Sequence, residues 1–428
     1  MTDSTLTSPV EWSSDEAATR RRRRYAADRR LQAYGIAAIS TAIGLLGILI
    51  VSLFSTGYTA FVQTKLTLDF PIRAEWVTAE DPAAGNYRQV VRQALLDVFP
   101  DVAAPPDQRK LGEILTANAQ FMVRDAVIAD PSVIGGALRL SVPASDPFDQ
   151  LNKGGISRDV PEAQRRVTDR QIDWFDRLEE VGAVATPFNF ALFTSADSRF
   201  PELAGLSGAI VGSFYALLIC FLLAFPIGIA AAIYLEEFAP RNRWTDLIEV
   251  NINNLAAVPS IVFGLLGLAV FLNFFGLPRS APLVGGMVLA LMTLPTMIIV
   301  TRASLKSVPP SIREAALGMG ASRHQVILHH VLPLALPGIL TGTIIGLAQA
   351  LGETAPLLLI GMNAFITSPP GGLLEASTAL PTQIFIWADS PERGFVSRTS
   401  AAIIVLLGFL IVMNGIAVFL RQRLERTW

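Results

Sequence analysis

The chain carries the stretch Glu314-Ala315-Ala316-Leu317-Gly318-Met319-Gly320, followed after nine residues by His330-Val331-Leu332-Pro333, in a basic loop between two apolar segments. Alanine side chains are small enough to let another helix approach closely, and Gly320 can end a helix where a positive φ is needed. Pro333 suits the first turn of a following helix, because that position needs no amide donor. The stretch therefore predicts a short helix, a tight turn and a second helix that enters the next apolar segment.

The composition places this loop in a membrane protein. Of the 428 residues, 51% are hydrophobic and only 16% are charged, and the mean hydropathy is +0.46. A soluble domain does not need that much apolar surface. Cys220 is the only cysteine, which excludes an intrachain disulfide and a cysteine-based structural zinc site, and its place in an apolar run predicts a packing role.

Six apolar runs are long enough to cross the membrane, since about 20 helical residues span roughly 30 Å of hydrocarbon. They lie at 33–54, 208–235, 255–275, 283–301, 334–361 and 401–420. We therefore predict an all-α membrane protein with six transmembrane helices, the first at 31–54, and a compact five-helix core at 205–428.

Basic residues mark one side of these predicted helices. They comprise Arg20 to Arg24 with Arg29 and Arg30 before the first span, Arg302, Lys306, Arg313 and Arg323 after the fourth, and Arg421, Arg423 and Arg426 after the sixth. By the positive-inside rule this side is cytoplasmic. Both termini are therefore predicted inside, with residues 1–30 as a cytoplasmic basic tail.

Two other interpretations of the N-terminal region compete with an uncleaved membrane anchor. A cleaved signal peptide has an apolar core of about 7 to 15 residues, which the run at 33–54 exceeds, and no convincing cleavage site of small residues follows it. The arginine run could also bind nucleic acid, but it directly precedes a span and no recognition domain accompanies it. Orientation in the membrane and contact with anionic lipid are the favoured roles.

The largest polar insertion, residues 55–204, falls on the extracytoplasmic side in this topology. Its length suffices for one small α+β domain. Residues 138–142 alternate apolar and polar as a half-buried strand does, and 87–98 and 162–181 carry apolar residues at helical spacing. The insertion has no histidine and no metal-ligand spacing, so we predict neither a catalytic nor a metal site in it.

The basic loop resembles the EAA loop of ABC importer permeases, in which Glu-Ala-Ala is followed by three residues, Gly, nine residues, Ile, one residue and Leu-Pro. The matching residues are Glu314, Ala315, Ala316, Gly320, Leu332 and Pro333, whereas His330 stands at the Ile position. The resemblance implies a coupling loop at 302–333, on the cytoplasmic face, that docks in a groove of a separate ATPase.

Three further strings are similar to the PstA-type permease subunit of phosphate importers. They are LEEFAP at 235–240, NINNLAAVPSIVFGLLG at 251–267 and ALGETAPLL at 350–358. This resemblance covers about the last half of the chain and implies an ABC importer type I permease core in a bacterial inner membrane.

The resemblance also implies a function and a set of partners. The expected function is inward movement of inorganic phosphate by alternating access, driven by ATP. The expected partners are a homologous second permease subunit, two ATPase subunits and an external phosphate-binding protein. A permease for another oxyanion or small solute is the alternative.

Several polar or helix-breaking residues are candidates for the translocation path or its gate. Asn251, Asn253 and Asn254 either line the path or cap helix ends at the cytoplasmic edge, because amides in lipid need partners. Pro259 removes a backbone donor and either kinks the third span or only packs there. Arg302 suits a bidentate oxyanion contact, but a charge that orients the helix is the favoured reading.

Glu353 is an ionisable residue inside the predicted fifth span, between Gly352 and Pro356. A buried carboxylate needs a cavity, a cation or another helix, so Glu353 either gates the path or pairs structurally with a cation. Upstream, glycines at 338, 342 and 346 recur every four residues and predict one smooth face for close helix packing, against this chain or a second permease.

The sequence gives no sign of catalysis or cofactor binding. Its three histidines, at 324, 329 and 330, lack metal-ligand spacing and are predicted to be polar interface residues. No Gly-Lys pair occurs in the sequence, so there is no Walker A phosphate loop. We therefore expect a transporter subunit that is not an enzyme, with ATP and magnesium bound by the partner ATPase.

Overall fold

The computed structural model describes residues 15–424, which are mostly helical. Two compact units divide the chain after Ser55. The first unit holds most of α1 (Asp15–Gly57), a 43-residue helix with exposed arginines at 20–24 and an exposed apolar half. This helix begins well before the predicted start of the first span at 31, so these arginines lie on the helix and not in a separate tail. Residues 1–14 of the predicted tail lie outside the described residues.

The second unit begins with the predicted α+β domain, residues 56–204, here called the insertion domain. Its three strands are β1 (Lys65–Pro71), β2 (Ala137–Pro143) and β3 (Val184–Ala185). The sheet order is β2-β1-β3 with both pairings antiparallel, and Lys65 lies opposite Pro143 and Ala185. The strand predicted at 138–142 is confirmed, whereas the central strand β1 was not predicted.

The insertion domain has six α-helices, of which the first five pack around this sheet. They are α2 (Tyr87–Val98), α3 (Pro105–Gly112), α4 (Ala119–Ala129), α5 (Asp146–Asn152), α6 (Asp169–Glu180) and α7 (Ala191–Thr194). The helix predicted at 87–98 is confirmed, and the one predicted from 162 starts at 169, where Thr168 and Gln171 form a capping box. One apolar core, including Phe70, Phe99 and Phe175, joins sheet and helices.

The rest of the second unit is helical. Its α-helices are α8 (Ser207–Ile233), α9 (Arg243–Ala256), α10 (Ser260–Gly267), α11 (Pro282–Ser307), α12 (Pro310–Gly318), α13 (Arg323–Gln325), α14 (Leu332–Gly352), α15 (Ala355–Leu359), α16 (Leu380–Ala388) and α17 (Gly394–Leu424). Three π-helical segments, Tyr234–Phe238, Leu268–Phe274 and Val326–Val331, continue α8, α10 and α13.

Five helices of residues 15–424 are long and apolar enough to cross a membrane, and one bent pair would make a sixth. The five agree with the first, second, fourth, fifth and sixth predicted spans. The predicted third span at 255–275 includes a break near its start: α9 ends at Ala256 and meets α10 at a 100° bend, and α10 with its π-helical continuation covers 260–274. The predicted fifth span at 334–361 is also interrupted, since α14 ends at Gly352.

Close packing of α8, α11 and α14 forms the centre of the helical part. Gly338 and Gly342 of α14 lie against Ser304 and Val300 of α11, where a Cβ at either glycine would clash. The predicted smooth glycine face therefore packs within this chain and not against a second permease. Cys220 of α8 is buried, as its predicted packing role requires, with its Sγ 3.5 Å from the Oγ1 of a threonine in α11.

Candidate functional site

The predicted coupling loop at 302–333 contains the helix, turn and second helix that its sequence predicts. Gly320, two residues after the end of α12, has a φ of 85°, a conformation that favours glycine. The amides of Gly320 and Ala321 close the turn by donating to the carbonyls of Leu317 and Ala316, at 2.9 and 3.1 Å. These bonds fix the direction in which the chain leaves α12.

One face of α12 and its turn is exposed and partly apolar. Glu314 and Ala315 are exposed, whereas Ala316 is only 3% exposed and belongs to the core beneath. Leu317 and Met319 are 48% and 80% exposed, although both are apolar. These two side chains were not predicted as part of the site, although they stand out in the sequence as large apolar residues between the small ones of the loop.

The second half of the coupling loop returns to the helical core. Ser322 and Gln325 form a capping box that starts α13. Leu332 and Pro333 begin α14 and are half-buried. Pro333 also lines a groove of about 500 Å³, here called the coupling groove, together with His330.

Ion pairs connect the coupling loop to the ends of other helices. The Arg302 guanidinium lies 3.2 Å from a Glu236 carboxylate oxygen and 2.6 Å from one of Glu249. Arg313 of α12 lies 2.7 Å from a Glu237 oxygen and also donates to two backbone carbonyls near the end of α11. We call these five side chains the charged brace.

The charged brace joins the end of α8, the middle of α9, the end of α11 and the start of α12. Its three carboxylates were not predicted as site residues, although the Glu-Glu pair lies within the string at 235–240. The arrangement gives Arg302 two carboxylate partners. Bidentate and paired contacts of this kind position a guanidinium firmly.

The three candidate asparagines lie on the last two turns of α9, before the bend. All three are exposed in this chain. The Nδ2 of Asn251 donates to the Leu247 carbonyl at 2.8 Å, whereas the side chains of Asn253 and Asn254 have no hydrogen bond within residues 15–424. Pro259 directly precedes α10, with a φ of −55°, so it stands at the far side of the bend.

Glu353 lies between α14 and α15 and not inside a continuous helix. Its amide donates to the Ala350 carbonyl at 3.3 Å, its backbone then becomes extended, and the residue is half-buried. The structure shows no hydrogen bond or ion pair of its carboxylate with any side chain of residues 15–424. The cation expected beside Glu353 is therefore absent from this part of the chain.

The two interrupted elements pack against each other. A Cβ on Gly264 of α10 would lie 2.7 Å from the Cα of Pro356 in α15, so the two helices approach at backbone distance. The structure thus brings Pro259 and Glu353 onto neighbouring elements. Interrupted helices expose backbone polar groups that transporters use to contact substrates or ions.

A buried group of charges, which was not predicted, joins the insertion domain to α17. It consists of Asp146, Asp149, Lys153, Glu202 and Arg398, and we call it the ionic cluster. Arg398 is 3% exposed, and the three carboxylate residues are between 3% and 9% exposed. No local sequence pattern predicts the cluster, because its members come from α5 and the residue after it, the end of the insertion domain and α17.

Each charge of the ionic cluster has polar partners. The Lys153 Nζ lies 2.6 Å from an Asp149 oxygen, and Arg398 donates to the Ala204 carbonyl at 2.8 Å within the field of the carboxylates. Burial raises the pKa of the Asp146 and Glu202 carboxyls and lowers the pKa of Lys153.

Comparisons with known proteins match two separate parts of the chain. A family described as "Domain of unknown function (DUF3333)" matches residues 18–162, and one described as "Binding-protein-dependent transport system inner membrane component" matches residues 224–426. The chain is 35% identical over 206 residues to the probable ABC transporter permease protein YqgI of Bacillus subtilis, which covers 47% of this chain and 68% of the relative. It is 31% identical over 224 residues to the phosphate transport system permease protein PstA of Haemophilus influenzae, covering 52% of this chain and 78% of the relative.

The chain belongs to the PstA-type permeases of ABC transporters. Among solved structures, this permease resembles the inward-facing MetNI methionine ABC transporter, at 18% identity and a TM-score of 0.40 over 52% of this chain and 98% of that chain. It also resembles a bacterial alginate ABC transporter in complex with a periplasmic protein, at 18% identity and a TM-score of 0.41 over 52% and 80% of the two chains. The permease is a multi-pass membrane protein and not itself an enzyme.

Proposed function

We propose that this permease subunit imports inorganic phosphate. The observation that carries the proposal is its similarity to phosphate transport permeases, which reaches 33% identity over 232 residues for PstA of Yersinia pestis. The YqgI relative carries no substrate in its name, so another oxyanion or small solute is the alternative. The strings at 251–267 and 350–358, which resemble the PstA type, fall on the interrupted helices α9, α10, α14 and α15.

The coupling loop transmits movement of a separate ATPase to the membrane helices. Its exposed face offers Glu314, Ala315, Leu317 and Met319 to a partner, with small side chains that permit close approach and apolar ones that gain from burial. The fixed turn at Gly320 makes the loop stiff. Displacement of α12 is transmitted to the end of α8 through Arg313 and Glu237, and the two ion pairs of Arg302 couple this end to α9 and α11.

The substrate path runs beside the interrupted helices. Asn253 and Asn254 supply amide donors without partners of their own in residues 15–424, and amide donors can contact phosphate oxygens. An ionised Glu353 would repel phosphate, so its role is to orient a cation supplied by another subunit. Arg302 belongs to the brace in this proposal and does not contact substrate, because two carboxylates already engage it.

The assembly contains subunits other than this chain. A homologous second permease supplies the cation for Glu353, two ATPase subunits bind ATP and magnesium and dock on the coupling loops, and an external protein delivers phosphate. The insertion domain faces the outside and both termini face the cytoplasm, in accord with the arginines in the first part of α1 and at the end of α17.

Uptake of radiolabelled phosphate tests the function directly. Cells that lack this chain should lose ATP-dependent uptake and regain it when the chain is restored. Unlabelled phosphate in excess should abolish the signal, whereas equal concentrations of sulfate or molybdate should not. Restored uptake of another labelled solute, with phosphate uptake unchanged, would replace phosphate by that solute and leave the permease assignment intact.

A further inference from the structure

The insertion domain carries a groove with positive charge that the chain does not neutralise. The groove lies between α2, α3 and the start of α4 and has a volume of about 500 Å³. Arg88, Arg92 and Arg109 line it, and none of its lining residues within 15–424 is an aspartate or glutamate. Residues 55–204 hold 21 acidic and 15 basic residues, so this arginine groove lies in a domain of net negative charge.

The three guanidinium groups lack acidic partners within the described chain. Arg88 and Arg109 have no side-chain hydrogen bond there, and Arg92 donates only to the Gln108 amide oxygen. Five other arginines of the domain do form ion pairs, namely Arg124–Asp125, Arg158–Asp176, Arg165–Asp169, Arg170–Asp107 and Arg177–Asp101. Arg88 and Arg92 stand four residues apart on α2, where like charges repel each other. A bound anion would remove this repulsion.

The groove positions polar groups around this charge. Gln108 is fixed by bonds from its Nε2 to the carbonyls of Val102 and Ala103, at 3.0 and 3.3 Å, so its Oε1 holds Arg92 in place. Gln120, in the first turn of the 11-residue α4, also lines the groove. The backbone N–H of Gln120 donates to no backbone carbonyl within residues 15–424, and an unpaired backbone N–H at a helix start favours a bound anion.

The floor of the arginine groove is apolar. Val91, Leu95, Leu96 and Leu111 line it, and Leu95 and Leu111 are each 1% exposed. A volume of about 500 Å³ lies in the range of small-molecule sites and far exceeds that of one tetrahedral anion. We propose that the arginine groove binds a small phosphorylated organic molecule, whose phosphate contacts the guanidinium groups and whose organic part packs on the floor. The site does not rest on the proposed import of phosphate.

Phenyl phosphate is a suitable probe, titrated calorimetrically into the full chain in phosphatidylcholine nanodiscs at fixed ionic strength. The test variant is Arg88→Gln with Arg109→Gln, because both side chains are exposed and neither forms a hydrogen bond or ion pair within residues 15–424, so folding should be unaffected. The matched control is Lys110→Gln with Arg139→Gln, which removes the same charge at exposed positions outside the groove.

We expect the affinity for phenyl phosphate to fall at least about tenfold in the test variant and to stay unchanged in the control, since hydrogen bonds to charged groups are worth about 1.5–3 kcal/mol each. Inorganic phosphate and succinate should bind more weakly than phenyl phosphate. Equal loss in both variants, no binding by the wild type, or equal affinity for succinate or inorganic phosphate would overturn the proposal. A repeat of the titration in nanodiscs that contain phosphatidic acid shows whether the natural ligand is a soluble phosphate ester or a lipid headgroup. Unchanged affinity for phenyl phosphate indicates a soluble ester, and weaker binding caused by competition from phosphatidic acid indicates a lipid headgroup.

Discussion

Replacing Arg398 by methionine should release the insertion domain from the start of α17. The substitution keeps a long side chain but removes a buried positive charge beside Asp146, Asp149 and Glu202, which then keep Lys153 and the exposed Arg166 for compensation. All of these carboxylates are at least nine-tenths buried, so little solvent screens them. Arg398 acts on these carboxylates through the field of its charge and forms no direct ion pair with them in residues 15–424. We therefore expect a cost below the roughly 3–5 kcal/mol of a broken buried ion pair. Even about 1.4 kcal/mol would raise the population of the open joint about tenfold.

Limited proteolysis of the full chain in nanodiscs measures that opening, because cleavage follows the population of the open form when closing is fast. The linker at 195–206 should be cut much faster in Arg398→Met than in the wild type. Arg393→Met is the matched control: Arg393 is exposed, precedes Arg398 by little more than one turn and has no ion pair within residues 15–424. We expect the control to change stability by less than about 0.5 kcal/mol.

The pH dependence of the cleavage rate shows whether the defect of Arg398→Met comes from lost charge or from lost packing. Burial raises the pKa of Glu202 above its ordinary value of 4.5. The protonated form of Glu202 therefore stabilises the closed joint fully below pH 4.5, and this stabilisation is lost as the pH rises through the raised pKa. Without Arg398 this loss should be larger, so the defect of Arg398→Met should shrink as pH falls from neutral toward 4.5. A defect that is independent of pH, or no greater than that of Arg393→Met, would refute the ionic explanation.

Three other substitutions test the joint, the turn and the gate. Gly394→Ala should speed the same proteolysis, because a Cβ there would overlap a carboxylate of the ionic cluster, whereas Gly408→Ala on the same helix meets no atom within 4 Å and should have no effect. Gly320→Val should abolish uptake without preventing membrane insertion, since a non-glycine residue at positive φ costs about 1–2 kcal/mol. Gly318→Val, in helical conformation with open space around it, should retain uptake. Equal uptake by both variants would show that coupling does not depend on the turn at Gly320. Glu353→Gln should lower phosphate uptake sharply while the thermal stability of the isolated chain stays unchanged, because no partner lies in residues 15–424; wild-type uptake across a range of pH would remove the charged role.

The parts that the sequence predicted are those with a local signal. The length of the apolar runs identified five of the spans. Gly320 marked the turn of the coupling loop, because a backbone with positive φ strongly favours glycine. The break at Pro259 was visible as a proline, but its 100° angle was not, since the angle depends on how α10 packs against α15. Strand β1 alternates along 65–70 and was within reach of the same reasoning that found β2.

The charged brace and the ionic cluster could not be predicted, because each gathers residues far apart in the chain. Arg302 shows the consequence. From the sequence an orienting charge was favoured over a substrate ligand, but neither role includes Glu236 and Glu249, which only the fold brings beside it. A single arginine in a sequence specifies a charge. Its partners specify its role, and tertiary structure decides which partners are within reach.

The two charge groups also differ in how easily they can rearrange, which bears on where the permease bends. Side chains of the brace are between 12% and 34% exposed, so water can replace a partner there at modest cost. The ionic cluster is buried, and separating it would strand charges. The insertion domain should therefore move with the start of α17 as one body. We therefore expect the movement that opens and closes the path to occur at elements without a buried ionic cluster, namely the bend between α9 and α10 and the break at Glu353. At these two interruptions α10 and α15 contact each other through Gly264 and Pro356.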